Sequence, residues 1–376
     1  MKILYVTTIG ITMTFFKQLI KDLLEEGHTV DIICNEDDEK VPDCYREWDC
    51  KIYHHSCSRS PLAKGNLPAI GQIKKLVESQ KYDIVHCHTP IAAMCTRLAC
   101  KSLRKQGVKV MYTVHGFHFY EGAPLLNWLI YYPIEKICSY WTDVLIAINH
   151  EDFEFAKRKM KAKKIEYVPG VGIDIAKFRN TAVDRAAKRK ELEIPEDAFL
   201  LVSVGELNIN KNHEVIIRAV AELKNERVHY VIAGVGELEG YYKELSRQLG
   251  IRNQVHLLGY RKDIAEIEKV SDLFCFPSYR EGLPVSVLEA MACGLPIVAA
   301  RNRGTEECVD ENRNIIISDL KNIKSYENAI LLYMNDMTLR NSVGNENVNQ
   351  VVNYDVKNVI EEMQQIYLRL AVDRNV

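Results

Sequence analysis

Short runs rich in Val, Ile and Tyr alternate with helix-length stretches along the entire chain, and the series occurs twice, on either side of a break at "VPGVGID" (Val168–Asp174). A strand followed by a crossover helix and another strand gives a parallel sheet covered by helices on both faces, so the expected class is α/β. The first series predicts strands near Lys2–Thr7, Thr29–Cys34, Asp83–His86, Lys109–Val114 and Val144–Ile148, with helices such as Phe15–Glu26 between them. The second predicts Phe199–Val204, Val228–Ala233, Val255–Leu258, Leu273–Phe276 and Pro296–Ala299. Each series reads as one doubly wound domain. Pro169, Gly170 and Gly172 punctuate the break, which sets expected domains at 1–170 and 171–352. A last helix, near Tyr354–Leu370, has no strand after it, so residues 353–376 are expected to cross back and pack on the first domain.

Two such units in tandem place a cleft between the carboxyl ends of two sheets, where this architecture binds ligands. Chemistry is therefore expected on loops that follow strands: Thr8–Met13, Val114–Phe119 and Pro277–Pro284. With 376 residues and 47% apolar side chains the chain buries a large core, and its net charge of −2 gives no overall basic field, so no nucleic-acid partner is expected. The first apolar run breaks at Thr7 with no cleavage-site pattern after it, and no stretch approaches the roughly 20 apolar residues that span a bilayer. Eleven cysteines without CxxC spacing, many inside apolar runs, read as reduced thiols, which predicts a cytoplasmic protein.

The most informative segment is "EGLPVSVLEAMACGLPIVA" (Glu281–Ala299). Pro284 is suited to open a helix, so the amides of Gly282 and Leu283 and the helix start behind them offer N–H groups to an anion. Glu281 and Glu289 flank that seat as pure acceptors, suited to hydroxyl groups. Donors for a diphosphate beside acceptors for a polyol describe a nucleotide sugar.

Other loops supply further candidates. Lys211, in "SVGELNINKN", is a cation near an expected helix start, where the helix dipole disfavours it, which points to an anionic ligand. His115 follows a strand and precedes Gly116; an imidazole there donates a hydrogen bond or exchanges a proton near neutral pH. Gly10 is placed to turn backbone amides toward a diphosphate. In "AGVGELEG" the glycines are spaced GxGxxxG and the next strand ends without a ribose-binding acid, so Gly234 and Gly236 are expected to line the sugar-nucleotide pocket and not a nicotinamide site. "HCH" (His86–His88) is a poor zinc site because neighbouring strand positions face opposite ways, and no Asp-x-Asp motif calls for an obligatory metal, so no cofactor is expected. Between Lys157 and Lys164 six of eight residues are basic, either a solvated helix end or, with aromatics Trp128, Tyr131 and Tyr132, a patch attracted to an anionic inner leaflet.

The E-x7-E pair of "EGLP...LEAMACGLPIVA", with "TTIG", "TVHGFH", "VPGVGID", "SVGELNINKN" and "VIAGVGE", resembles the family 4 retaining glycosyltransferases of the GT-B fold, two Rossmann-like domains with a ligand cleft. "HGFHFYEGAPLLNWLIYYPIEK" (His115–Lys136) is similar to bacterial capsule and exopolysaccharide transferases. The resemblance implies that Glu281 holds donor-sugar hydroxyls, Glu289 the ribose, Gly282 and Leu283 the diphosphate, Lys211 a phosphate, and His115 the sugar at the reaction centre, with His118 toward the acceptor. It departs at Glu206, where an arginine is usual; Glu206 is expected to meet a donor hydroxyl, with Arg261 or Arg280 supplying positive charge. The implied reaction takes a sugar from a nucleotide sugar, a UDP-sugar first, to a polyprenyl-diphosphate-linked saccharide. The alternatives are a nucleotide-sugar epimerase of the same fold and a non-catalytic sugar-nucleotide-binding module.

Overall fold

The computed structural model describes residues 1–37, 39–58, 60, 61, 63–120 and 122–372. It divides into two compact units, one formed by Met1–Gly172 together with the chain from Val356 onward, the other by Ile173–Asp355. The first unit holds a seven-stranded sheet of β1 (Lys2–Ile9), β2 (Thr29–Asn35), β3 (Ile52–His54), β4 (Ile84–His88), β5 (Lys109–Val114), β6 (Val144–Ala147) and β7 (Lys164–Tyr167), in the order β3-β2-β1-β4-β5-β6-β7. Every pairing is parallel. The central strands are covered on both faces, which is why "IVHCH" and "KVMYTV" read as near-continuous buried runs.

The second unit holds β8 (Phe199–Val204), β9 (Val228–Ala233), β10 (Val255–Gly259), β11 (Leu273–Phe276), β12 (Ile297–Ala300) and β13 (Ile315–Ile317), ordered β10-β9-β8-β11-β12-β13 and again all parallel. In each sheet the winding direction reverses once, between β1 and β4 and between β8 and β11. At such a switch point two post-strand loops diverge and leave a crevice.

Three strands absent from the sequence reading, β3, β7 and β13, are three or four residues long and lie at sheet edges. Edge strands are short and half-exposed, so "KIEY" and "IYH" carry little apolar signal. The expected helix Phe15–Glu26 begins instead as a 3-10 segment, Gly10–Phe16, that continues as an α-helix over Lys17–Glu25.

The last helix, Val356–Val372, belongs to the first unit. It buries Val359, Ile360, Met363, Ile366, Tyr367 and Leu370, a stripe at helical spacing, against Tyr5, Phe16, Leu19 and Ile20. The Tyr367 hydroxyl lies 2.6 Å from the Tyr5 hydroxyl and 2.6 Å from His86 Nδ1. Residues 353–355 stay with the second unit, where Tyr354 donates to the Glu307 carbonyl at 2.9 Å. Gly172 is required where the chain passes this helix, because its φ is +71° and a Cβ there would sit 2.5 Å from the Val356 Cα.

Candidate functional site

The switch point of the second sheet gathers the strongest candidates. The loop after β8 ends in a 3-10 turn, Ile209–Lys211, whose start is capped by Asn208 accepting from the Lys211 N–H at 3.1 Å. The loop after β11 is stitched to this turn: Tyr279 N–H donates to the Asn210 carbonyl (2.8 Å), Asn210 Nδ2 to the Arg280 carbonyl (3.0 Å) and Asn212 Nδ2 to the Pro277 carbonyl (3.2 Å). That stitching places Lys211 Nζ 2.8 Å from Glu281 Oε1, with both side chains mostly covered. The ammonium also sits 5.0 Å from the centre of the Phe276 ring. Two predicted residues 70 positions apart thus form an ion pair at the sheet's ligand-binding edge.

Glu281, Gly282 and Leu283 run half-buried into Pro284, which precedes the helix Val285–Ala292. The Pro284 carbonyl accepts from Val287, and no side chain caps this helix start. Glu289 lies on the same helix. Burial pushes its carboxyl up to about 7 from the ordinary 4.5, while Lys177 pulls the other way. Beside it, fully buried Glu268 has its carboxyl raised well above the usual range by burial and by Glu289, and accepts from Cys293 Sγ at 3.4 Å. A carboxyl held neutral by the fold favours folding below its unfolded value of 4.5 and loses that contribution as pH rises toward 7. The second unit is therefore expected to melt at higher temperature at pH 5 than at pH 8, with Glu268→Gln flattening the difference in a pH series of thermal scans.

Other predicted residues have structural duties. Gly234 and Gly236 let the loop after β9 lie on the loop after β8: a Cβ on Gly234 would sit 1.9 Å from the Gly205 carbonyl oxygen, and one on Gly236 2.5 Å from the Leu207 carbonyl oxygen. They shape the floor behind Glu206 and Leu207. Glu206 itself is exposed and accepts from Asn208 Nδ2 at 2.8 Å. Of the two arginines considered as replacements for the usual basic residue, Arg261 is engaged with Asp263 (2.5 Å) and Glu191 (2.6 Å), and Arg280 is exposed. Arg303, three residues past β12 and not singled out in the sequence, donates to the Glu281 carbonyl at 3.4 Å. A pair of arginines after a strand end (Arg301, Arg303) was the available signal.

In the first unit, Gly10 donates its N–H to the Glu39 carbonyl at 3.1 Å instead of presenting it to a ligand. It is glycine because a Cβ would sit 2.5 Å from the Glu39 carbonyl oxygen and from the Val41 nitrogen. His115 follows β5 and meets His88, the last residue of β4, with His115 Nε2 3.2 Å from His88 Nδ1. Burial pushes the His115 imidazole down to about 4, so it is neutral at physiological pH. His118 packs against Tyr131 (4.6 Å between ring centres, tilted by 30°), and both line a pocket of about 280 Å³ with Thr8, Thr12, Thr89 and Pro90. That pocket opens at the switch between β1 and β4, where Thr8 and Thr89 hydroxyls lie 2.7 Å apart.

Residues 2–149 match the family described as glycosyl transferase 4-like and residues 184–350 that described as glycosyl transferases group 1. The protein named "Putative glycosyltransferase EpsD" of Bacillus subtilis (strain 168) is 37% identical over 313 residues, 82% of each chain. The UDP-Gal:alpha-D-GlcNAc-diphosphoundecaprenol alpha-1,3-galactosyltransferase of Escherichia coli is 29% identical over 327 residues, 85% of this chain and 83% of that one. Among solved structures, Anabaena HepE, crystallised with UDP and glucose, superposes with a TM-score of 0.80 over 98% of this chain and all of that one, at 18% identity. The lipopolysaccharide glycosyltransferase WaaG does so at 0.76, over 97% of this chain and 99% of that one, at 17% identity. With one relative above one-third identity across four-fifths of both chains, and the two-sheet GT-B architecture throughout, this chain belongs to the family 4 glycosyltransferases.

Proposed function

We propose that this enzyme transfers a hexosyl group, with retention of anomeric configuration, from a UDP-sugar to a polyprenyl-diphosphate-linked saccharide during capsule or exopolysaccharide assembly. The observation that carries the reading is the Lys211–Glu281 pair beside the helix start at Pro284: a cation, hydroxyl acceptors and unpaired-end amides converge where a sugar diphosphate needs all three. The galactosyltransferase relative, named for a UDP-sugar donor and a diphosphoundecaprenol-linked acceptor, supports it.

In this reading Lys211 turns from Glu281 to a phosphate oxygen when the donor enters, and Glu281 then accepts from sugar hydroxyls. The Gly282 and Leu283 amides meet the diphosphate, Glu289 the ribose, and Glu206 a donor hydroxyl beside the loop that Gly234 and Gly236 shape. His115 contacts the donor sugar and His118 helps hold the acceptor in the pocket of the first unit. The acceptor oxygen bonds to the anomeric carbon on the face the leaving group vacates, the bond from that carbon to the phosphate oxygen breaks, and the hydroxyl proton passes to that departing oxygen. The protein supplies position and charge and no covalent partner. No metal takes part, so activity is expected to survive excess chelator. Donor screening by calorimetry, then transfer to a lipid-diphosphate saccharide with the product's anomeric configuration read by NMR, tests the reading. Absence of binding by every UDP-sugar overturns the donor.

No helix among the described residues is long and apolar enough to cross a membrane. A lipid-linked acceptor requires the enzyme to reach the cytoplasmic leaflet, and the first unit carries a suitable face. Of the aromatics considered as membrane contacts, Trp128 and Tyr132 pack inward on Phe119 and Phe155 and Tyr131 lies on His118; the exposed apolar residues of the helix Leu125–Ser139 include Leu125, Leu126, Leu129 and Ile137. The Lys161 N–H donates to Ser139 Oγ at 2.8 Å, bringing the basic run to this helix, and Lys159 and Lys161 add to the burial that lowers the Lys136 ammonium. Sedimentation with phosphatidylglycerol vesicles is expected to be lost in Leu125→Glu/Leu129→Glu, and weakened by salt in the native protein.

A further inference from the structure

His88 is the last residue of β4 and is almost wholly buried. Its ring packs among Tyr5 (5.4 Å between centres, nearly parallel), Phe16 (4.3 Å) and His86 (4.1 Å). Nδ1 has one partner, His115 Nε2 at 3.2 Å, whereas Nε2 is buried with no hydrogen-bond partner. His86 offers no help, since its two nitrogens are taken by the Tyr367 hydroxyl (2.6 Å) and Thr113 Oγ1 (2.8 Å). The small pocket alongside, about 40 Å³, is lined mainly by apolar side chains, among them Phe16, Val171, Val359, Ile360 and Met363, with Gln18 and Thr113 also in its wall. Neither of these two makes a hydrogen bond with His88 Nε2.

Burial keeps both imidazoles neutral, so each ring carries one proton and a single hydrogen occupies the contact between them. If His115 donated it, His88 would carry its own proton on Nε2 and bury an N–H with nothing to receive it. If His88 donates it from Nδ1, Nε2 is left as a lone pair. A buried N–H without a partner is the rarer and costlier orphan. The second arrangement leaves His115 protonated on Nδ1, the nitrogen on the other side of its ring.

We propose that His88 is a positioning residue that fixes His115 as its Nδ1–H form, so that His115 meets the substrate as a hydrogen-bond donor and not as a proton acceptor. The contact of His115 with substrate rests on the function proposed above; the proton's location does not. A donor at this position suits a sugar hydroxyl or ring oxygen, and it fits a transfer in which the leaving phosphate takes the acceptor's proton.

Long-range proton–nitrogen correlation on histidine-labelled protein reads the proton's location directly, with His115 assigned by its disappearance in His115→Gln. The expected spectrum has His115 Nδ1 protonated and Nε2 bare, and a protonated Nε2 overturns the proposal whether or not any sugar is transferred. His88→Asn places an amide N–H where Nδ1 stands and is expected to keep kcat within about threefold of the native enzyme, whereas His88→Leu loses tenfold or more with donor KM little changed. Equal losses in two variants that melt like the native protein overturn the positioning role. A correct tautomer in an enzyme that transfers nothing from any nucleotide sugar would instead bring down the proposed function.

Discussion

Glu281→Ala is expected to lower kcat for sugar transfer by about 10²–10³, the loss seen when one preorganised charge contact at a reaction centre is removed. The same substitution is expected to lower thermal stability only slightly. The Lys211–Glu281 pair is mostly covered, with side chains 19% and 17% exposed, but both groups still reach solvent, so its loss is expected to cost about 1 kcal/mol, the upper end for pairs that water screens. A structural ion pair would show the opposite balance. Glu281→Gln, which keeps the shape and one acceptor, is expected to fall between the two, and Lys211→Met is expected to raise donor KM because a cation for the diphosphate is gone. Steady-state kinetics beside calorimetric melting checks all three, and a Glu281→Ala enzyme within threefold of native kcat removes this residue from the reaction.

The largest expected effect on stability lies elsewhere, at Glu135→Ala. Arg97 and Glu135 form a 2.8 Å pair between the helices Pro90–Cys100 and Leu125–Ser139, with side chains 0% and 5% exposed. The guanidinium lies 4.3 Å from the centre of the Tyr112 ring, and the Tyr112 hydroxyl donates to Glu135 Oε1 at 3.2 Å. Removing the carboxylate strands a buried cation, which costs about 3–5 kcal/mol. For a unit of this size that corresponds to a melting temperature lower by roughly 10 °C. Replacing both partners, Arg97→Met with Glu135→Met, is expected to recover most of the loss, because no uncompensated charge remains. If the single and double variants melt together, the pair is not what holds these helices.

Much of this was legible in the chain before any coordinates. Inner strands such as Phe199–Val204, Val228–Ala233 and Leu273–Phe276 have the bounds expected from their apolar runs, because strands buried on both faces must be apolar at nearly every position. Three of the four edge strands were not legible: β3 (IYH) and β7 (KIEY) pair on one side only, so their side chains are freer to be polar, and β13, although all isoleucine, is only three residues long. The glycines show a second limit. A glycine signals a close approach or an unusual φ, but Gly10, Gly234 and Gly236 approach other stretches of this same chain, and only coordinates tell that partner from a ligand.

The sequence by itself determined the alternation that makes two parallel sheets, the apolar stripe that seats the last helix, and the helix start that carries Glu281 and Glu289 eight residues apart. Those are local properties, written in periods of two and 3.6 residues. Only the tertiary structure decided that Lys211 meets Glu281, that His88 meets His115, and that Glu268 crowds Glu289. Each of those encounters depends on which strands and helices become neighbours. That choice follows from packing the whole sheet, and no window of sequence contains it.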